Sequence, residues 1–594
     1  ASPLGWDPRL LLERGRLERM AGFPDSARVA FERALQLDVA PGMLWVELAR
    51  TLPLTADTLP ARPGGPVPAE VAYFNGASSD DPDVVAMYRR DLQPIVDDSD
   101  LAAFDRLHGR GRVIWLRDFW RRRAALDLRS VGDRISEHFR RWDFALRNFR
   151  LPPFNRLYRW GIETYQSHDP ELDDRGIVWL RQGRPTYRIV WPRSLPRSAT
   201  VAATPVPLPI DSAVLAAAAV RRRTLPGVQH VAPASLIIDP PVGADAPSFG
   251  NETWRYARPD GDLVINFAAQ DDPDDYRLVE SVLQLDVSLD AMYLHAGEIP
   301  GLAALLRSGP ATRPTLANEV RLAGKRDIAI ATTTSAWPRW YPIRLGGHVQ
   351  WLVAGTRDGT PLVHVVYAVD AGALRAIHLD TLIGAIPVRL RAVFFGGGNR
   401  VLATLDTVQW FPRPPANAAL AAAHAELAVP PGMQRMRLNV ELNGAIGAVY
   451  PADSLLVPDF GGRQLTMSSV VMGIPNRSLA WLDVHGDTVW LAPQSLYHTG
   501  DTVAVYAQAF GLRPGTAYSV KVTVQRRRSF LGRLLGSGSD AVTIAGSAVL
   551  AGAGSSIRRL IPLAGLHPGN YRLLVELEGN GERIERDRGL LIER

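Results

Sequence analysis

Two groups of carboxylates are the first residues here with the makings of chemistry: Asp173-Asp174 and Asp271-Asp272-Pro273-Asp274-Asp275. A glycoside hydrolase needs two carboxyl groups facing each other across a cleft. Adjacency along the chain does not supply that geometry, and neighbouring acids around a proline read more simply as a solvated turn. The arginine runs at Arg121-Arg122-Arg123 and Arg526-Arg527-Arg528 offer charge to phosphate or an acidic surface. Without interleaved aromatics they read as solvated or salt-bridged faces. The 12 histidines are scattered, and none forms the helical pairing of an H-E-x-x-H site. His348, His364, His485 and His498 fall in turns or single strand positions. There is no G-x-S-x-G elbow. Gly396-Gly397-Gly398 lacks the following lysine and helix of a phosphate cradle and reads as a hairpin turn. Cysteine is absent, which removes disulfides, thiolate metal sites and a thiol nucleophile. These patterns assign no catalytic residue, no metal and no cofactor.

The elements that would position such residues come from a chain of 594 residues, a length suited to about four domains. With 46% apolar and 22% charged residues it has a globular composition. Net charge is 67 − 61 = +6. Lys325 and Lys521 are the only lysines, so arginine accounts for the basic pI and no nucleic-acid partner is expected. No apolar run reaches the length of a membrane-spanning helix. The longest, Ala213 to Val220, stops at Arg221-Arg222-Arg223. Peripheral membrane association stays open. The start at Ala1 fits removal of a signal peptide.

Leu11, Gly15, Gly22, Ala27, Phe31 and Ala34 sit at the spacings of a tetratricopeptide unit, and Trp45, Leu48 and Ala49 continue it one 34-residue period on. Residues 1–52 are therefore expected to be a short all-α repeat hairpin, with 53–68 a Pro/Gly linker. Helices are expected at Asp100 to Leu107 and Val131 to Phe149. Ile135, Phe139, Trp142 and Leu146 would form the buried face of the second. A strand is expected at Ile177 to Leu180, then the turn Gln182-Gly183-Arg184-Pro185, then a strand at Tyr187 to Trp191. A hairpin follows around Arg258-Pro259-Asp260-Gly261, with Leu263, Ile265 and Phe267 on one face. Residues 69–325 thus read as a mixed α+β domain. From about Asp327 short strands with turn punctuation predict two β-sandwich, immunoglobulin-like domains, 326–457 and 462–594. The Ala-rich stretch Pro412 to Pro431 is expected to carry a short helix.

The run Asp173-Asp174-Arg175-Gly176-Ile177-Val178-Trp179-Leu180-Arg181-Gln182-Gly183-Arg184-Pro185 resembles the hallmark of the GWxTD-domain family of bacterial envelope proteins. Phe119-Trp120-Arg121-Arg122-Arg123 and the helix from Glu137 to Phe144 are similar to that family's preceding segment. Glu252-Thr253-Trp254-Arg255-Tyr256 with Asp260-Gly261 resembles its second signature. Gly500-Asp501-Thr502-Val503 and Leu566 to Leu573 are similar to its C-terminal part. The resemblance spans roughly residues 100 to 594. Pro170-Glu171 stands where the naming Gly-Trp would be, and Asp173 replaces the threonine. The resemblance implies an exported protein, periplasmic or at the cell surface, with tetratricopeptide neighbours. It supplies no catalytic residue.

The motif cluster is Asp174, Arg175, Gly176, Gly183, Pro185, Glu252, Trp254 and Arg255. Its structural reading has Asp174 or Glu252 paired with Arg175 or Arg255 to fix strand ends, with glycines for turns. Its functional reading is a small cleft lined by Asp174, Arg175, Glu252 and Arg255. The expected function is a non-enzymatic scaffold that binds other envelope proteins. The alternatives are a hydrolase of glycan or peptide using these carboxylates, and a self-associating subunit of a surface assembly.

Overall fold

The computed structural model describes residues 7–37, 41–55, 68–151, 156, 164–167, 169–191, 251–258, 261–269, 275–285, 287–337, 339, 341, 343–377, 384–397, 400–443, 445–483, 486–511, 515–526, 541–549, 554–579 and 581–594. Most of the proline-rich linker, the apolar run from Ala213, the Pro259-Asp260 turn, Asp271 to Asp274 and His485 lie outside these. Two compact units emerge, one of residues 1–123 and 130–337, the other of 124–129 and 338–594.

The first unit begins all-helical: α1 (Pro8–Met20), α2 (Pro24–Leu35), α3 (Pro41–Thr51), α4 (Pro68–Gly76), α5 (Pro82–Leu92), α6 (Asp98–Phe104), α7 (Gly109–Leu126) and α8 (Val131–Asn148). Several starts follow from side-chain capping. Asp81 accepts from the Asp83 amide and Asp97 from the Asp100 amide. The Phe31 ring lies against Gly15, so α1 and α2 approach closely. One aromatic-rich core runs from Leu11 through Phe31, Val46, Tyr73, Trp120 and Phe139 to Ile328 and Ala331. On α8, Ile135, Phe139 and Trp142 are buried as the spacing predicts, but Leu146 is 38% exposed and Ala145 takes its place.

His138 is also buried on α8, packed against Trp120 and Phe139. Burial, reinforced by Arg134, Arg123 and Arg141, holds its imidazole well below the usual histidine range. Below pH 6.5 the unfolded chain takes up a proton that the folded ring refuses. Stability from this site is present above that pH and falls as the pH drops, by up to about 1.4 kcal/mol per pH unit. His138→Gln should flatten the urea midpoint between pH 6.5 and 5 relative to wild type. Parallel profiles for the two proteins would show that the ring is protonated in place.

A further helix, α9 (Asp174–Gln182), precedes a four-stranded antiparallel sheet in the order β1 (Tyr187–Val190), β2 (Glu252–Tyr256), β3 (Leu263–Ala269), β4 (Tyr276–Val279). The expected strand at Ile177 to Leu180 is thus a helix. Asp173 starts it by capping, and that signal outweighs the strand preference of Ile-Val-Trp. Leu263, Ile265 and Phe267 do share one face, on the main core. The opposite face carries Ile189, Val264, Ala268 and Val279 against α10 (Leu289–Leu294), α11 (Leu302–Arg307) and α12 (Arg313–Thr333). Residue 325, the expected end of the mixed domain, lies inside α12.

The second unit is β-rich. In its first sandwich, β10 (Leu420–Ala428), β7 (Thr360–Asp370) and β6 (Gly347–Arg357) form one sheet. The other sheet runs β5 (Ile343–Arg344), β12 (Ile446–Val457), β11 (Gly432–Asn443), β8 (Ala385–Phe395), β9 (Val401–Pro412). Alternating Val363, Val365, Tyr367 and Val369 meet Val388, Leu390, Ala392 and Phe394 between them. A short helix, α13 (Ala371–Arg375), follows β7. The Ala-rich stretch expected to be helical supplies β10, because nine residues pair antiparallel with β7. Ladder hydrogen bonds and burial decide against the helix preference of alanine.

The second sandwich has β18 (Thr502–Phe510) between β13 (Thr466–Met467) and β14 (Val471–Gly473) on one edge and β21 (Gly554–Pro562) on the other. It faces a sheet in the order β17 (Leu496–His498), β23 (Glu582–Glu593), β22 (Gly569–Gly579), β19 (Ala517–Arg526), β20 (Ala541–Val549). Tyr518, Val520, Val522 and Val524 alternate into its core beside Tyr571, Leu573, Val575 and Leu577. A hairpin, β15 (Leu479–Leu482) and β16 (Thr488–Leu491), packs Trp481 with Leu352 and Ala354 of β6 and Val366 of β7. The order of classes is the expected one: helical, then mixed α+β, then β-sandwiches.

Candidate functional site

The motif cluster assembles where α9 begins. Asp173 has extended backbone and its carboxylate accepts from the Gly176 amide at 3.0 Å. This cap sets Asp174 and Arg175 in the first helical turn. Asp174 accepts from the Leu278 amide of β4 at 2.9 Å and from Arg156 Nη1 at 2.7 Å. Arg175 donates to Asp173 through Nε at 2.8 Å and to Glu252 through Nη1 at 2.8 Å. Its guanidinium carbon lies 3.3 Å from the centre of the Tyr276 ring, a cation–π contact in a desolvated place.

Glu252 receives more. Arg188 of β1 donates to both of its oxygens at 2.8 Å, the bidentate geometry that suits a guanidinium fork. The Trp254 indole donates to Oε2 at 2.6 Å. The β1–β2 register places Arg188 opposite Trp254, two residues from the Glu252 pair and on the same face. Asp275 completes the group, held by Arg156 at 2.7 Å and Arg277 at 3.0 Å. Four carboxylates (Asp173, Asp174, Glu252, Asp275) therefore meet four guanidiniums (Arg156, Arg175, Arg188, Arg277).

Asp173, Asp174, Arg175 and Glu252 are 0, 1, 7 and 2% exposed. Burial works to raise the carboxyls of Asp173, Asp174 and Glu252. For Glu252 the charges of Arg175 and Arg188 and the indole hydrogen bond outweigh it, so the group sits below its ordinary range. Burial prevails at Asp174 despite Arg156. At Asp173 it prevails over Arg175 and pushes the group up to about 6.

The other motif residues shape the surroundings. Gly176 packs against Leu172, leaving a Cβ only 2.9 Å from the Leu172 Cβ. Gly183 ends α9 with φ +75 and ψ −156, its amide donating to the Trp179 carbonyl. The buried Arg141 guanidinium lies over it and donates to the carbonyls of Leu180, Arg181 and Ala336. Pro185 is buried in the turn that leads to β1. Trp254 packs against Phe267, Phe149 and Trp179.

Arg255 does not join. Strand alternation turns it to the other face of β2, where it pairs with Asp262 at 2.5 Å and donates to the Glu298 carbonyl. The proposed lining of Asp174, Arg175, Glu252 and Arg255 is therefore corrected to the first three. Asp173, Asp174 and Asp275, read as parts of solvated turns, are buried ion-pair members. The pairing that fixes the motif joins a helix start to strands, where two strand ends were expected. Arg156, Arg188 and Arg277 carry no sequence signal that singled them out. Asp275-Tyr276-Arg277 carries a period-two signal, and Arg156 carries none.

Both oxygens of Asp174 and both of Glu252 are taken by arginine, backbone or indole donors. A general acid or base needs an oxygen within reach of a substrate proton. What this arrangement does is tie α9 to β1, β2 and β4.

No protein-family profile matches the sequence, and no curated protein matches it. Among solved structures, red sea bream transglutaminase is similar at 10% identity with a TM-score of 0.13, over 58% of this chain and 41% of that one. The chain thus spans about two fifths of the transglutaminase's length. The fibronectin(III)-like modules of Clostridium thermocellum CbhA are similar at 13% identity with a TM-score of 0.13, over 42% of this chain and 93% of theirs.

Proposed function

We propose that the chain is a non-enzymatic scaffold that binds other proteins at the bacterial envelope, exported to the periplasm or the cell surface. One observation carries this reading. Asp173, Asp174, Arg175 and Glu252, charged residues of the GWxTD-like resemblance, are consumed in a buried ion network, so they serve the fold and leave recognition to the outer surfaces. The same geometry weighs against a glycan or peptide hydrolase at this cluster, because Asp174 and Glu252 are each locked by arginine.

The test is affinity purification of the tagged full chain from gently solubilised native envelopes, followed by size exclusion. A bait lacking residues 1–52 is unsuitable, since Leu11, Phe31, Leu44 and Val46 belong to the main core. The expected result is a partner that co-elutes at fixed stoichiometry. A chain that elutes alone under every gentle condition would refute the scaffold.

A further inference from the structure

The pairing of β10 with β7 brings together two histidines 60 residues apart. Glu426 of β10 stands directly opposite His364 of β7, and His424 lies two residues along on the same face. The two imidazole rings stack with centroids 5.0 Å apart. His364 Nδ1 is 2.8 Å from His424 Nε2 and 3.9 Å from Glu426 Oε2.

The surroundings settle which atoms carry protons. His364 Nε2 lies 2.8 Å from the Ala354 carbonyl, and a carbonyl only accepts, so Nε2 bears the hydrogen. In a neutral imidazole Nδ1 then presents a lone pair. It points to His424 Nε2 and to a carboxylate, which is itself acceptor-only. One hydrogen on His424 Nε2 satisfies His364 and leaves Glu426 Oε2 over. That oxygen is buried and makes no hydrogen bond, while Arg357 occupies Oε1. Three electron-pair donors thus converge on one point, within 4.8 Å of one another.

The backbone is built for this. A register shift in β6 between Val353 and Thr356 marks a bulge at Ala354-Gly355. Gly355 holds φ +74 there, and a Cβ on it would press on the Trp481 ring. Bulges re-aim groups in this way. This one presents the Ala354 carbonyl to His364 and brings the Trp481 ring edge-on to the imidazole at 4.3 Å. A ligating histidine commonly gives its other N–H to a backbone carbonyl, which fixes the tautomer.

We propose that His364 Nδ1, His424 Nε2 and Glu426 Oε2 bind a divalent transition cation of the zinc type. Two imidazoles and a carboxylate suit that class of ion, with a water as fourth ligand. At bond lengths of about 2.0–2.2 Å, tetrahedral donors stand about 3.3–3.5 Å apart. The nitrogens open by about half an ångström, and the carboxylate closes on His364 Nδ1 by as much. The Glu426 side chain is 27% exposed, which leaves the ion an entry path.

The experiment uses the untagged full chain, stripped with a chelator and dialysed against Zn²⁺ or Co²⁺. One ion should be retained per chain, Co²⁺ should show visible absorption from a low-symmetry nitrogen and oxygen site, and Zn²⁺ should raise the melting temperature. His364 is fully buried, so its replacement risks unfolding. His424→Gln and Glu426→Gln test the site instead, and each should weaken Zn²⁺ binding at least ~10-fold. His348→Gln, on an exposed histidine, should retain it. Absence of stoichiometric binding, or binding unchanged in both variants, would overturn the proposal in favour of a plain imidazole–imidazole hydrogen bond.

Discussion

Glu252→Ala will cost the first unit about 3–5 kcal/mol, the range for breaking a buried ion pair on one side. The carboxylate receives Arg175, Arg188 and the Trp254 indole. Its removal leaves Arg175 buried with Asp173 alone, and leaves an indole N–H without its acceptor. Arg188 is about one-third exposed and can turn to water; Arg175 cannot. Glu252→Gln keeps the volume and one acceptor, so it should fall between wild type and alanine. Asp587→Ala, which breaks an exposed pair with Arg572, is the control and should cost under about 1 kcal/mol. Urea denaturation followed by tryptophan fluorescence reads all three. A loss at Glu252 as small as the control's would mean that water reaches the network, and the motif would lose its role as a tie between helix and sheet.

Gly183→Ala is the second large effect, with a loss of about 3 kcal/mol or more. Two costs add. At φ +75 and ψ −156 the backbone occupies a region that is essentially glycine's own, worth about 1–3 kcal/mol. A Cβ would also stand 2.5 Å from Arg141 Nη2. That guanidinium is fixed by three carbonyls, including the end of α9, so it yields only by surrendering hydrogen bonds. Gly297→Ala, with open space around it and no positive φ, should be near neutral. Equal midpoints for the two variants would place the α9–β1 turn in a conformation open to any residue.

What could be read in advance follows from the range of each signal. Local ones carried well. Leu263, Ile265 and Phe267 line one face of β3, as their period of two predicts. Signals that depend on distant partners were lost. Ile177 to Leu180 looks like a strand until Asp173 is recognised as a cap. Leu420 to Ala428 looks helical until β7 supplies its hydrogen bonds. The candidate site was half visible: Arg175 and Glu252 were named, but Arg156 and Arg188 complete it from positions 18 residues before Asp174 and 64 before Glu252. His424-x-Glu426 shares a face only once the segment is known to be a strand.

The first unit's core has a consequence for synthesis. It joins Leu11 of α1 to Ala331 of α12. At about 5–20 residues per second, a ribosome needs about 15–60 s to deliver the second after the first. During that wait Phe31, Leu44 and Trp45 have helices to sit on but no finished interior to enter. The nascent chain therefore carries sticky helices throughout that wait, and holdase chaperones are the natural guardians of the interval.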